Sequence, residues 1–360
     1  MLDLTALLRP ELAEAKAYLP TQGSFRVRLD ANEAPPLFPD SVRARLAQEF
    51  ASVALERYPD ATAAALRQAV AARLGVEPQE VLLGVGSDEV IGLLLGALGQ
   101  PRGSEAPVVL TTSPTFVMYR MSARLRGQRV LEVPLDAEWD LAVDALLKAA
   151  ELAPPAVVFI ASPNNPTGTV AGSGRLERLI EALPRSIVVV DEAYVDYADR
   201  DRLDLFRRYE NVVVLRTLSK IGFASLRVGW LVGRAPLIQE LDKLRFPYNL
   251  NGISQALARV VLTELWDEVR AVTRAVVAER ARLARELAAL PGLAVTPPQA
   301  NFLWVKSERP AAELFQALGE RGILVRSFHS SGGRLAHQLR ITVGTPAEND
   351  ELVSAWREIG

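Results

Sequence analysis

Two hydrophobic rhythms alternate along the chain. Short apolar, β-branched runs read as strands buried on both faces. They are EVLLGVG, PVVLTTSP, RVLEVPL, AVVFIASP, IVVVDEAY, VVVLRTLSK and RVGWLVG. The stretches SDEVIGLLLGAL, FVMYRMSARLRG, DLAVDALLKAAELA and RLERLIEAL carry helical periodicity between them. Ser87 stands where it could cap the first of these helices. GWLVGRAP follows VVVLRT without a helical crossover, so one antiparallel strand is expected in an otherwise parallel sheet. The alternation predicts an α/β fold with helices on both faces of the sheet.

The flanks read differently. Residues 1–35 form an arm, with a helical pattern LTALLRPEL broken by Pro10 and then an extended FRVRLDANEAPP. DSVRARLAQEFASVAL and TAAALRQAVAARLG read as helices, the second closed by Gly75. Beyond Ala235, ISQALARVVLTEL and VRAVTRAVVAERARLARELAAL are long helical stretches, ended by Pro291 and Gly292. A smaller unit follows, with strands NFLWVKS, ILVRSF and LRITVG and helices AAELFQALGERG and AENDELVSAWREI. The expected organisation is a large domain over 36–245, connecting helices over 246–269, and a small α+β domain built from 270–360 and the arm. A chain of 360 residues accommodates two such domains.

Composition narrows the chemistry. The chain is 49% hydrophobic and 23% charged, which is ordinary for a folded chain. A net charge of −2 does not suit a general nucleic-acid binder. With no cysteine and two histidines, thiolate catalysis and Cys-ligated or multi-His metal sites are excluded. The N-terminus carries Asp3 and Glu11 without a basic segment, which argues against a secretory signal. VIGLLLGALG at 90–99 is too short to span a bilayer. A cytoplasmic location is expected.

Only five of the 41 cationic residues are lysines: Lys16, Lys148, Lys220, Lys243 and Lys306. A lysine in a distinctive motif therefore suggests a need for an amine that can lose its proton and attack a carbonyl. Lys220 follows a strand in RTLSKIGFASLRVGW, beside Ser219 and seven residues before Arg227. GVGSDE lies between a strand and a helix, where glycines and free N–H groups suit a phosphate; a plain turn is the competing reading. Its position 89 is Glu, not the third glycine of a dinucleotide fingerprint. SPNNPTG at 162–168 sits at a strand's carboxyl end and offers the amides of Asn164 and Asn165. Asp191 ends an apolar strand, and burial there demands a cationic or hydrogen-bonding partner. His329 and His337 read as solvated or substrate-edge residues, Asp30 and Glu33 as part of an arm folding over a site, and the mixed charges of 268–287 as a solvated helix face.

An amine, a buried carboxylate and a phosphate cup are together what pyridoxal 5′-phosphate requires. The chain resembles the fold-type I pyridoxal-phosphate aminotransferases, and within them the histidinol-phosphate aminotransferase family. The resemblance runs through LDANEAP, ERYPD, GVGSDE, SPTFVMY, SPNNPTG, VVVDEAY, TLSKIGFASLRVGW, PYNLNGISQ, NFLWV, GILVRSF and LRITVGT. It implies a large domain with a mostly parallel seven-stranded sheet between helices, plus the small domain. It further implies that Lys220 forms the Schiff base and shuttles the proton, and that Asp191 pairs with the pyridine nitrogen. Tyr194 and Asn165 would bond the ring 3-oxygen, and Phe116 would stack on the ring. Gly86, Ser87, Asp88, Ser219 and Arg227 would hold the phosphate, with Tyr58 reaching the partner subunit's cofactor in a homodimer. Arg340 would bind the carboxylate of glutamate, Arg326 an anionic substrate group, and Asn32 would close over the substrate. The implied reaction is ping-pong transamination between histidinol phosphate and 2-oxoglutarate, with neither nucleic acid nor membrane as partner. An aromatic amino acid aminotransferase and a threonine-phosphate decarboxylase are the alternatives; a non-catalytic regulator lacks its DNA-binding segment here. Departures from the family pattern are Ala34 in NEAP and Phe116 in place of tyrosine.

Overall fold

The computed structural model describes residues 7–12, 17, 21–100 and 105–359. Of the arm's expected helical pattern, 4–6 lie outside the described residues, as do Lys16 and residue 360; Pro10–Leu12 forms one 3-10 turn. The chain then runs through β1 (Val27–Arg28), α1 (Asp40–Ala51), α2 (Ala64–Leu74), β2 (Val81–Val85), α3 (Gly86–Ala97) and β3 (Val108–Ser113). Next come α4 (Val117–Arg124), β4 (Arg129–Pro134), α5 (Val143–Leu152), β5 (Val157–Ala161), α6 (Ser173–Ala182) and β6 (Ile187–Asp191). After them follow α7 (Leu203–Arg208), β7 (Val212–Thr217), β8 (Val228–Val232), α8 (Ala235–Asp242), α9 (Gly252–Thr263) and α10 (Trp266–Ala288). The remainder is β9 (Leu293–Val295), β10 (Phe302–Ser307), α11 (Ala311–Glu320), β11 (Ile323–Leu324), β12 (Arg326–Ser327), β13 (Gln338–Thr342) and α12 (Pro346–Ile359).

Seven strands form the central sheet in the order β2-β8-β7-β6-β5-β3-β4. All run parallel except β8, which is antiparallel to both β2 and β7, as the absent crossover implied. The apolar runs have a simple cause. On β5, Val158 and Ile160 enter the core on one face, and Val157 and Phe159 enter the core on the other. A strand covered on both faces must be apolar at every position, and each such side chain contributes about 1.5–3 kcal/mol on burial. Chain order reverses between β3 and β5, and the carboxyl ends of the parallel strands open there, where α/β sheets hold ligands.

A second sheet, ordered β12-β13-β10-β9, packs against α10, α11 and α12 around its own core. The arm joins it: β1 pairs in parallel with β11, and the Thr342 N–H donates to the Leu29 carbonyl. That seam carries the backbone onward to Asn32, at the edge of the large sheet's open end. Helix α9 packs on α1 and α2.

Some local expectations give way. Ser87 is not a cap: α3 begins at Gly86, and the Glu89 carboxylate instead accepts from the Val85 N–H at 2.6 Å. Helices α7 and α8 and the edge strand β9 had no periodic signal long enough to read. ILVRSF divides into β11 and β12, which belong to different sheets. Arg280 does not face solvent with its helix neighbours; it is buried and donates to the carbonyls of Tyr197 and Ala300, both at 2.9 Å.

Candidate active site

The ends of β2, β3, β5, β6 and β7 and the arm enclose a cavity of about 200 Å³. Asn32, Ser87, Asp88, Phe116, Asn165, Asp191, Tyr194, Ser219, Lys220, Arg227 and Arg340 all line it. Residues from five separate loops and from the small sheet thus converge on one space.

Asp191 lines it, and among the described residues no arginine hydrogen-bonds or ion-pairs with its carboxylate. Burial pushes its carboxyl up to about 6, and Asp88 adds to the rise. Opposing this, Tyr119 Oη donates to Oδ2 at 2.5 Å and the Ala193 N–H donates to Oδ1 at 3.0 Å. Lys220 borders the same space, its Nζ 5.8 Å from the centre of the Tyr194 ring. Its backbone is pinned by the Tyr197 hydroxyl, which donates to the Lys220 carbonyl at 2.7 Å. Asn32 reaches in from the arm in a left-handed conformation, φ 56°. Its Nδ2 donates to the Tyr194 hydroxyl at 2.9 Å. An amide nitrogen can only donate, so the Tyr194 proton stays free for another acceptor.

Helix α3 opens directly on the cavity. Gly86 has φ 72°, and a β-carbon there would lie 2.6 Å from Nη2 of Arg227. On β8, a β-carbon at Gly229 would lie 2.6 Å from the backbone of Gly86 and Ser87. These two glycines let the helix N-terminus sit against Arg227; the Gly86 N–H is taken up by the Arg227 carbonyl at 2.9 Å, so the N–H groups open to a ligand begin at Ser87 and not, as the sequence predicts, at Gly86. Arg227 Nη2 pairs with Asp88 at 3.4 Å, and Nη1 stands 3.4 Å from Ser219 Oγ. Helix terminus, hydroxyl and guanidinium together form an anion cup.

Of the two amides in SPNNPTG, Asn164 is consumed by the loop itself. It donates to the Pro114 carbonyl and Thr167, and accepts from Thr115. Asn165 faces the cavity and accepts from Arg340 Nη1 at 2.5 Å; Arg340 also donates to the Asp30 carbonyl. Arg340 borders a second space of about 740 Å³, shared with Arg28, Glu33, Thr115, Phe116, Phe328 and Arg326. Arg326 on β12 lies directly opposite Arg340 on β13. Directly opposed residues of an antiparallel pair share one face, so two guanidinium groups flank this vestibule.

The family model described as aminotransferase class I and II matches residues 26–355. The chain belongs to this aminotransferase family. Among its relatives, histidinol-phosphate aminotransferase 1 of Burkholderia lata is 41% identical, over 98% of this chain and 97% of that protein. The histidinol-phosphate aminotransferase of Aquifex aeolicus is 37% identical, over 98% of each chain. The crystal structure of histidinol-phosphate aminotransferase from Sinorhizobium meliloti, in complex with pyridoxal-5′-phosphate, superposes with a TM-score of 0.85 at 26% identity, covering 98% of each chain.

Two features of this aminotransferase stand apart from the cavity. Tyr58 is 82% exposed and stacks on Tyr248, 4.8 Å between ring centres. His329 is exposed, with Nδ1 2.7 Å from Ser327 Oγ, and the His337 ring meets the Ser307 and Arg309 carbonyls. Sequence reasoning also passed over Tyr119 and Thr217, which line the cavity. Tyr119 was within reach, since a residue three positions after Phe116 shares its side of a helix. Thr217 Oγ1, which donates to the Val228 carbonyl, is 2.9 Å from Ser219 Oγ and gave no signal of its own.

Proposed function

We propose that this aminotransferase moves an amino group between L-histidinol phosphate and 2-oxoglutarate, with imidazole-acetol phosphate and glutamate as the keto and amino partners. The cofactor is pyridoxal 5′-phosphate. When bound, it supplies an aldehyde that condenses with amines and a pyridinium ring that draws electrons from the bond being broken. The donor set fits it: an amine at 220, a buried carboxylate at 191 and an anion cup at the start of α3.

In this reading Ser87 and Asp88 (through backbone N–H groups), Ser219 and Arg227 would hold the phosphate, Gly86 would leave it room by having no side chain, and Phe116 would cover one ring face. Asp191 keeps the ring nitrogen protonated. Tyr194 and Asn165 donate to the ring 3-oxygen; the contact from Asn32 supports this for Tyr194, whose hydroxyl proton is thereby left free. Lys220 would be the residue that holds the cofactor through its amine and, when that amine is free, would move the proton between the substrate Cα and C4′. One tethered amine on one face suffices for that transfer. Arg340 takes the carboxylate of glutamate, and Asn32 closes the arm side.

The observation that carries the substrate assignment is the Arg326–Arg340 pair. Like charges directly opposed on neighbouring strands repel, so Arg326 beside Arg340 favours an anionic group of the substrate in this vestibule. No carboxylate of the described residues pairs with Arg326. A phosphate on the substrate side chain meets that need, whereas phenylalanine brings no charge to it. Tyr58, Phe246 and Leu55 are exposed apolar side chains, and a homodimer in which Tyr58 enters the partner's site gives them a role. No helix among the described residues is long and apolar enough to cross a membrane, and a cytoplasmic biosynthetic role belongs to the same proposal.

The test is steady-state transamination with L-histidinol phosphate and with L-phenylalanine, for the wild type and Arg326→Leu. The expected result is a kcat/KM at least about a hundredfold higher for histidinol phosphate. Arg326→Leu should erase that preference and leave the glutamate half-reaction intact. A preference for phenylalanine overturns the assignment.

A further inference from the structure

Asp191 and Tyr119 form a buried pair that the catalytic roles above leave unexplained. Tyr119 is fully buried. Its ring lies flat on Phe159, 4.6 Å between centres and 9° between planes, and meets Phe116 edge-on at 5.5 Å. Packing alone would be satisfied by phenylalanine. A buried hydroxyl loses its water and must find an acceptor, and this one finds Oδ2 of Asp191 at 2.5 Å.

The surroundings of Asp191 define what that contact does. Its neighbours on β5 and β7, Ala161 and Leu215, are uncharged. The groups that act on it are Asp88 from α3, which opposes its charge, Lys220 after β7, which favours it, and Tyr119 from α4; Tyr194 after β6 is the nearby phenol. Glu192, the next residue, is engaged with Arg216 at 2.6 Å. Two donors therefore touch the Asp191 carboxylate, and each takes one oxygen.

We propose that Tyr119 is a positioning residue for the cofactor: its hydroxyl keeps Asp191 ionised and turned so that a remaining lone pair meets the pyridine nitrogen. One helix thereby serves the ring twice, since Phe116 at the cap of α4 covers its face and Tyr119 governs the partner of its nitrogen. Tyr119 stays a donor throughout. Burial, and then Asp191, hold its own ionisation well above the usual tyrosine range. The proposal rests on the cofactor and is independent of which substrate the enzyme takes.

The test is equilibrium binding of pyridoxal phosphate to the full-length, cofactor-stripped chain from pH 5 to 8.5, for wild type and Tyr119→Phe. Binding that needs an ionised Asp191 weakens as pH falls through its pKa, near 6 in the wild type. Losing a hydrogen bond to the charged form raises that pKa, so the midpoint in Tyr119→Phe moves up by about one pH unit. Affinity then drops about threefold at pH 6.5 and is nearly unchanged at pH 8.5. The cofactor's own ionisations are common to both proteins. In an Asp191→Asn background the threefold effect disappears. Coincident midpoints, or a loss of equal size in the Asp191→Asn background, overturn the proposal and reduce Tyr119 to packing.

Discussion

Asp191 is a costly residue for the protein without cofactor, and its proposed pairing with the pyridine nitrogen would make it useful in the loaded one. Burial raises its folded pKa to about 6, above that of an unfolded aspartate, so between those values the folded state binds more protons. Stability from this group is therefore present at low pH and lost as pH rises through about 6. Asp191→Asn removes the buried charge. The cofactor-free variant should melt higher than cofactor-free wild type at pH 8. That gain should shrink as pH falls through about 6 and vanish below about 4, as read by calorimetry. The same variant should bind pyridoxal phosphate at least about tenfold more weakly at pH 8. Stabilisation without weaker binding would separate Asp191 from the cofactor. Glu192, raised to about 7 by burial and held down by Arg216, adds to the same loss of stability with rising pH.

At the scale of elements, the cavity depends on how closely β8 and α3 approach. Gly229 is the contact point, and Gly229→Ala would drive a β-carbon into backbone atoms 2.6 Å away, which cannot swing aside like a side chain. The variant should lose about 1–3 kcal/mol of stability and bind pyridoxal phosphate at least tenfold more weakly, measured by thermal melting and titration. Wild-type affinity in this variant would show that the helix terminus does not form the anion cup. The elements themselves were largely legible: strand runs covered on both faces have to be apolar throughout, and the missing crossover before β8 leaves only an antiparallel course. Contacts made by side-chain geometry were not. SPNNPTG contains two adjacent amides, and nothing in the sequence says that Asn164 ties the loop while Asn165 faces the cavity. Arg280 sits among arginines that pair on the surface, and only the fold brings the carbonyls of Tyr197 and Ala300 to it. Short α7 and β9 leave no periodicity to detect.

For the whole molecule, the arm and the small sheet carry Asn32 and Arg340 to the cavity made by the large sheet, and Arg326 to the vestibule beside it. Tyr58 lies away from that cavity, so the proposed homodimer, with its site shared between subunits, predicts complementation. Lys220→Ala and Tyr58→Ala proteins, each impaired alone, should regain activity above the sum of the two after subunit exchange. A mixed dimer then holds one site with both residues intact. Strict additivity would mean that each subunit works alone. The central claim is that the amine at position 220 holds the cofactor. Borohydride reduction of the loaded enzyme, digestion and peptide mass analysis test it directly. The account predicts a phosphopyridoxyl group on the peptide bearing Lys220. An unmodified Lys220, or the label on Lys243 or Lys306 in its place, would contradict it.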